Sequence, residues 1–264
     1  MGKSIGVISL KGGVGKTSSV VALGSALADF GKKVLLVDAN FSAPNLGMHL
    51  NILNPDKTIH DVMGRTVNIL DAVQTVGNLD VLPASLFSKK NISPLKLKDN
   101  LSYLKRKYDY MIIDSSPALN DETLGAILAS DKILVVTTPD VPTLGMTVKA
   151  IKVAKQRKTP IIGMILNKVH SKNFEMGLDV IEEMAEVPIM AIIPHDINFL
   201  KSLSEFVPYT SYKKRSAGAE EYKRLAGTLI GEKYKPIKMR SFLKWVNPQR
   251  QDINREVYYS QVFK

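Results

Sequence analysis

Residues 5–17, with the sequence IGVISLKGGVGKT, limit the possible folds of this chain more than any other stretch. The stretch opens with an apolar run typical of a buried strand, passes through a glycine-rich loop and continues with the spacing of a buried helix. Glycines let backbone N–H groups turn toward an anion, and a helix N-terminus adds partial positive charge. We therefore expect a nucleoside triphosphate with Mg²⁺ here. The expected contacts are Gly12, Gly13, Val14, Gly15 and Ser18 around the phosphates, Lys16 on the outer phosphates and Thr17 on the metal.

The loop differs from the common phosphate-binding pattern at its beginning. Leu10 stands where that pattern has its first glycine, and a second lysine, Lys11, opens the loop. The arrangement K-G-G-x-G-K-T resembles the deviant P-loop of the MinD/ParA family of dimeric ATPases. The resemblance covers about residues 3–230, and the stretches VDANFSAPNLGMHL and VTTPDVP look most like archaeal MinD-like proteins. It implies ATP as cofactor, an ATP-bound homodimer, and a Lys11 that reaches the partner's phosphates.

Short apolar runs alternate with helical patterns along the chain. This alternation predicts an α/β fold with one doubly wound, mostly parallel sheet covered by helices on both faces. We expect this ATPase domain to span residues 1–231, followed by a basic amphipathic helix and tail at 232–264. The main predicted strands are 33–38, 79–82, 110–114, 132–137, 160–166 and 189–193. The main predicted helices are 142–156, 174–186 and 217–230, and residues 58–61 fit a capping box.

Polar residues follow several of the predicted strands, at the sheet edge where ligands of such folds bind. Asp114 ends a strand in the manner of a Walker B carboxylate and is expected to order the Mg²⁺ shell beside Thr17. Asp38 fits a carboxylate on the metal side. Asn40 stands where the family has a second acidic residue that positions water. Because an amide can orient water but cannot act as a base, we predict slow ATP hydrolysis.

Two further strand ends resemble the part of the family's site that binds adenine. Asn167, followed by Lys168, resembles the asparagine that reads the base. Pro194, His195 and Asp196 resemble the loop that closes over the base. For His195 and Asp196 a simple role as turn-forming residues stays open, because such residues are common after strands.

Composition narrows the partners and the cellular location. The chain has no cysteine, which excludes disulfides and thiolate metal sites. No apolar run approaches the length of a membrane-spanning helix and no signal peptide is evident, so we expect a cytoplasmic protein. The net charge is +11, and residues 201–264 hold fourteen Lys and Arg against six Asp and Glu. This basic C-terminal quarter indicates a polyanionic partner, either nucleic acid or an anionic membrane surface.

Residues 237–246, IKMRSFLKWV, have the pattern of an interfacial helix. As a helix they would align Met239, Phe242, Leu243 and Val246 in one apolar stripe, with Trp245 at its border and Lys244 on the cationic side. MinD carries a C-terminal amphipathic membrane-targeting helix, which the resemblance implies here. Packing of this helix on the chain's own core or on a partner subunit stays open. So does the role of residues 249–264.

Together these features predict a MinD-like ATPase. Its ATP-bound dimer would lie on the inner face of the cell membrane and position an unidentified partner complex for division, motility or chemosensing. Two alternatives stay open. One is a ParA-like ATPase that coats DNA non-specifically through its basic C-terminal quarter. The other is a nearly inactive scaffold with a structural nucleotide.

Overall fold

An eight-stranded sheet forms the centre of the molecule, whose computed structural model describes residues 2–88, 90, 92–234 and 249–263. The strands are β1 Lys3–Ile8, β2 Val34–Asp38, β3 Gln74–Val76, β4 Leu79–Leu82, β5 Tyr110–Asp114, β6 Lys132–Thr137, β7 Ile161–Val169 and β8 Ile189–Pro194. The helices are α1 Lys16–Asp29, α2 Ile59–Met63, α3 Leu97–Leu101, α4 Asp121–Ala129, α5 Val141–Gln156, α6 Leu178–Ala185, α7 Asn198–Ser204, α8 Tyr209–Tyr212, α9 Ala217–Ile230 and α10 Arg250–Phe263.

The strand order β3-β4-β2-β5-β1-β6-β7-β8 places β1 between the two halves of the sheet. All neighbouring strands pair in parallel except β3 and β4, which form an antiparallel hairpin. The chain winds outward from β1 in both directions, so the crevice at the carboxyl ends of the strands opens beside the loop after β1. The predicted doubly wound, mostly parallel fold is confirmed.

Helices cover both faces of this sheet, as the continuous apolar strands require. One face packs against α1 and α9, and the other carries separate clusters beneath α3 and α4 and beneath α5 and α6. Strands β2 and β5 are buried along their whole length. No helix among the described residues is both long and apolar enough to cross a membrane.

The structure corrects three local predictions. The helix expected at 174–186 begins only at Leu178, because the Glu175 carboxylate accepts the backbone N–H groups of His170 and Ser171 and holds the preceding residues as a loop. The strand expected at 160–166 continues to Val169. Strand β3 was not predicted. The helix 217–230 and the capping box at Thr58 are confirmed.

The C-terminal part of the chain contains one stretch outside the described residues and one helix within them. The predicted interfacial helix, with Met239, Phe242, Leu243, Lys244, Trp245 and Val246, lies outside them. Residues 250–263 form helix α10, which packs against β8 and α9. Its Arg255 is buried, forms a 2.8 Å ion pair with Glu221 and donates to the Met190 carbonyl. Residues 250–263 are therefore a packed part of the fold.

Candidate nucleotide-binding site

The loop between β1 and α1 forms an open cradle at the centre of the sheet edge. Gly13 and Gly15 have φ angles of 78° and 91°, in the left-handed region that favours glycine. A Cβ atom at position 15 would lie 2.2 Å from the Asn167 amide nitrogen, so the loop also needs glycine for close approach. Nothing lies within 4 Å of a Cβ built at Gly12 or Gly13. The backbone on that side of the loop is free to meet a ligand.

Lys16 and Thr17 begin helix α1 and both bind Asp114 at the end of β5. The Lys16 ammonium forms an ion pair with one carboxylate oxygen, and the Thr17 hydroxyl donates to the other at 2.7 Å. Lys16 is 7% exposed and Asp114 is fully buried. The structure thus brings the expected phosphate lysine, metal hydroxyl and Walker B carboxylate into direct contact.

Asp38 lies opposite Asp114, because the two residues are paired in the register of β2 and β5. Its carboxylate accepts the backbone N–H groups of Asn40 at 3.1 Å and Leu46 at 3.0 Å. Complete burial and the neighbouring Asp114 raise the pKa of Asp38 to about 7. Two buried carboxylates beside a hydroxyl are the oxygen ligands that Mg²⁺ prefers. The residues present therefore fit a magnesium ion, which would supply charge neutralisation for the phosphates.

Asn40 lines the same crevice. Its amide nitrogen donates to the Ala43 carbonyl, while its Oδ1 atom is buried and has no hydrogen-bond partner among the described residues. A buried acceptor without a partner is costly unless a ligand or water satisfies it. The chemistry of this atom suits the predicted water-positioning role, which stays a prediction.

Lys11 is held by the first turn of helix α5 in the same chain. Its ammonium donates to the Thr143 hydroxyl at 2.7 Å and lies 3.4 Å from the Asp140 carboxylate. Burial acts to raise the pKa of Asp140, but hydrogen bonds from Thr138 and Thr143 outweigh it and lower the pKa to about 2. Asp140 therefore stays anionic at neutral pH. The Lys11 side chain is 42% exposed, so it is accessible at the mouth of the crevice.

The end of β7 supports the loop from the opposite side. The Asn167 amide donates to the Val14 carbonyl at 2.7 Å, and the Lys168 ammonium donates to the Gly13 carbonyl at 2.6 Å. Both side chains also line the crevice, so the expected contact of Asn167 with adenine stays a prediction.

The segment after β8 closes the outer side of the crevice. Asp196 accepts hydrogen bonds from the Asn198 backbone at 2.9 Å and the Tyr209 hydroxyl at 2.8 Å. The His195 ring stacks on His170 with 4.5 Å between centroids. Pro194, His195 and Asp196 all line the crevice. The resulting cavity has a volume of about 430 Å³, within the range of small-molecule sites.

Three comparisons with known proteins agree with this geometry. A family profile described as an AAA domain matches residues 2–164. An ATP-binding protein of Methanocaldococcus jannaschii is 33% identical over 237 residues, which cover 89% of this chain and 90% of that protein. The cell division ATPase MinD of Pyrococcus furiosus is 34% identical, with a TM-score of 0.81 over 86% of this chain and 97% of that one. The chain belongs to the MinD/ParA family of ATPases.

A second solved structure shows a similar MinD with a nucleotide and a metal ion bound. The septum site-determining protein MinD of Pyrococcus horikoshii, in complex with Mg-ADP, is 30% identical and has a TM-score of 0.82. The alignment covers 87% of this chain and 96% of that one. ATP and Mg²⁺ are the cofactors of this family, and the phosphate loop and the paired carboxylates of this chain fit them.

Sequence reasoning missed part of the cavity wall. No motif pointed to His49, yet it lines the cavity, and burial lowers its pKa. Its position in the loop after β2 is a signal that could have placed it at the ligand edge. The other missed residues come from loops and from helix α7: Asn45, Pro117, Ile197, Phe199, Leu200 and Leu203.

Proposed function

We propose that this ATPase is a nucleotide-controlled dimer that attaches to the inner face of the cell membrane and positions a partner complex there. The observation that carries the proposal is the set of contacts that Lys11 makes. This lysine opens the deviant loop at the mouth of the cavity and binds Asp140 and Thr143 of its own subunit through a half-exposed ion pair. Such a pair is weak enough to exchange for the phosphates of a second subunit.

The positioning role is supported by what the relatives are called. The Pyrococcus furiosus protein is described as a cell division ATPase, and the Pyrococcus horikoshii protein as septum-site-determining. The second name describes a protein that determines a site in the cell. We infer the same kind of task for this chain, with a partner complex that stays unidentified.

Membrane attachment is supported by the sequence of residues 237–246, which combines an apolar stripe with cations. A helix of ten residues is marginal in water and binds a bilayer weakly by itself. Two copies in one dimer bind more firmly, because the second copy attaches from a high effective concentration. Dimerisation by ATP would therefore control attachment, and slow hydrolysis at the Asn40 site would reverse it.

Sedimentation of the full chain with vesicles tests this proposal. The vesicles contain equal parts of phosphatidylcholine and phosphatidylglycerol, and the protein carries either ATP or ADP. We expect markedly more sedimented protein with ATP. The double variant Phe242→Ser and Leu243→Ser should lose this ATP-dependent gain. Equal sedimentation with ATP and ADP would contradict the proposal.

The basic C-terminal quarter also supports a second function, a ParA-like ATPase on DNA. That function predicts an ATP-dependent and salt-sensitive shift of a double-stranded DNA fragment without any vesicle binding. The apolar stripe argues against it, because phosphate contacts do not need buried apolar side chains. Vesicle sedimentation and DNA binding, each measured with ATP and with ADP, therefore distinguish the two functions.

A further inference from the structure

The end of the sheet opposite the nucleotide site is rich in exposed cations. Because parallel strands all begin at the same edge, the residues that precede or open β1, β2, β5 and β7 lie at this one end. Six of these residues are exposed lysines or arginines, and none of the six forms an ion pair with another described residue. We call this surface the basic end. Its cations are Lys3, Lys33, Arg106, Lys107, Arg157 and Lys158.

The acidic side chains of this end already bind other groups. Asp131 pairs with Lys105 and Glu232 pairs with Lys32. Asp109 accepts the backbone N–H of Lys33 at 2.8 Å. Asp109 keeps its negative charge beside Lys33, but the six cations outnumber it, so the basic end has a net positive charge.

Helix α10 lies across the same end of the sheet. The Asn254 amide donates to the Ile189 carbonyl at the start of β8, and the Phe263 ring lies 5.2 Å from the Lys3 ammonium at the start of β1. The nine residue steps from Asn254 to Phe263 rise about 13.5 Å along a helix. The three strand spacings from β8 to β1 span about 14 Å. Between these points, Lys132 at the start of β6 donates to the Tyr258 hydroxyl at 3.0 Å.

The outer side of α10 carries two exposed apolar side chains among polar ones. Gln251 and Arg255 are buried against the fold, whereas Ile253 and Val257 are 53% and 50% exposed. Ile253 and Val257 are one helical turn apart, on the side opposite the buried residues. They stand as two apolar side chains at the edge of the basic end.

The chain also leaves the described domain at this end. Tyr234 packs edge-on against Phe30, which lies just before the turn that leads into β2. The segment 237–246, expected to enter the membrane, follows three residues later. Lys233 also pairs with Glu256 of α10 at 2.6 Å, so the last residues described before that segment lie beside the basic end and α10.

We propose that the basic end and the outer side of α10 form a second membrane contact, which binds anionic lipid headgroups whether the protein carries ADP or ATP. This contact rests on the membrane attachment proposed above and adds a nucleotide-independent component to it. Cations next to an anionic leaflet are attracted to it, and Ile253 and Val257 gain from contact with the acyl boundary. Nucleic acid would use the cations but not the two apolar side chains. The weak contact would keep the ADP form near the surface, where it can dimerise again.

The test compares two variants of the full chain that lose the same charge. The basic-end variant carries Lys33→Gln, Arg106→Gln and Lys107→Gln. The control variant carries Lys149→Gln, Lys172→Gln and Lys214→Gln, three exposed lysines elsewhere that form no ion pair within the described part of the chain. Sedimentation with the phosphatidylglycerol vesicles is measured with ADP, and ATP turnover without vesicles checks that both variants are folded.

With ADP, we expect the unmodified chain to bind these vesicles at low salt and to lose binding at about 1 M salt, where charges are screened beyond about 3 Å. The basic-end variant should bind at least about tenfold more weakly, since each cation near the leaflet contributes on the order of 1 kcal/mol. The control variant should stay within about twofold of the unmodified chain, since its lysines lie away from the contact. The double variant Ile253→Ser and Val257→Ser should weaken vesicle binding and leave DNA binding unchanged.

Equal vesicle binding by the basic-end and control variants would overturn the inference. It would also be overturned if the two variants differed on a DNA fragment but not on vesicles. The ATP-dependent gain tests the membrane attachment separately. If that gain survives in the basic-end variant while ADP-state binding is unaffected, the proposed function stands and this inference fails.

Discussion

At the residue scale, the site combines strongly held groups with one unusual position. Lys16, Thr17 and Asp114 are bound to one another, and Asp38 is fixed by two backbone N–H groups. Asn40 differs because its amide nitrogen is used by Ala43 while its oxygen has no partner among the described residues. An amide at this place can orient water without accepting its proton.

Replacing Asn40 with aspartate tests whether this amide limits hydrolysis. A carboxylate there could accept a proton from the attacking water, and positioned bases contribute about 10²-fold or more. The loss of the hydrogen bond to Ala43 offsets part of that gain. We therefore expect Asn40→Asp to raise ATP turnover by about tenfold or more. Phosphate release under saturating Mg-ATP measures it. The Asn40→Ala variant is the control, and a rate unchanged or lower in Asn40→Asp would show that Asn40 does not limit the reaction.

Asp38 gives a prediction about stability and pH. Its folded pKa of about 7 lies above the value of about 4 expected in the unfolded chain. The folded state therefore binds more protons between these values, and its stability falls as the pH rises from about 4 to about 7. The Asp38→Asn variant lacks this titration. Without nucleotide, it should melt above the unmodified protein at pH 8, and the difference should shrink toward pH 4.

The same substitution should weaken nucleotide binding in the presence of Mg²⁺, because it removes one of the two carboxylates suited to the metal. Calorimetric titration with Mg-ADP at neutral pH measures this effect. If Asp38→Asn were less stable than the unmodified protein at pH 8, the account of the buried carboxylate pair would be wrong.

At the scale of secondary-structure elements, helix α10 is attached through one buried ion pair and several more exposed contacts. Arg255 pairs with Glu221 and with Asp252 and also donates to the Met190 carbonyl. Removing one partner of a buried ion pair typically costs 3 kcal/mol or more. We expect Arg255→Met to lower the free energy of unfolding by about 3 kcal/mol.

Arg250 on the same helix provides the matched control. It pairs with Asp179 and Glu182, but its side chain is 43% exposed. Exposed pairs contribute at most about 1 kcal/mol, so Arg250→Met should change the stability by no more than that. Urea denaturation of both variants makes the comparison. Equal losses would show that α10 is not held by the buried pair.

Three elements show where a sequence pattern is enough to predict the ends of a helix or strand and where it is not. Helix α9 has the predicted ends because Ser216 caps its first turn and Gly231 adopts the left-handed conformation after its last. Helix α6 begins later than predicted because the Glu175 carboxylate, three residues before Leu178, binds the loop backbone, and such a contact leaves no periodic signal. Strand β3 has only three residues and is joined to its partner β4 by a turn at Gly77. Three residues are too few for an alternating apolar pattern to be recognised in the sequence.

At the scale of the whole molecule, the sequence contains most of the nucleotide site because that site is built from strand ends and one loop. Lys16, Asp38, Asp114 and Asn167 belong to four different elements, yet each lies near the carboxyl end of an apolar strand or in the loop after it. The topology brings such positions together. The far wall of the cavity could not be derived in this way. Phe199 and Leu203 reach it because α7 packs beside α8, which is a tertiary contact without a local motif.

The central claim is that ATP joins two copies of this chain through Lys11. Light scattering of the full chain with ATP and Mg²⁺, compared with ADP and Mg²⁺, measures it directly. With ATP we expect a species of twice the 29.1 kDa chain mass, and with ADP a single chain. The Lys11→Ala variant should bind ATP and stay a single chain. A single chain in every nucleotide state of the unmodified protein would contradict the account.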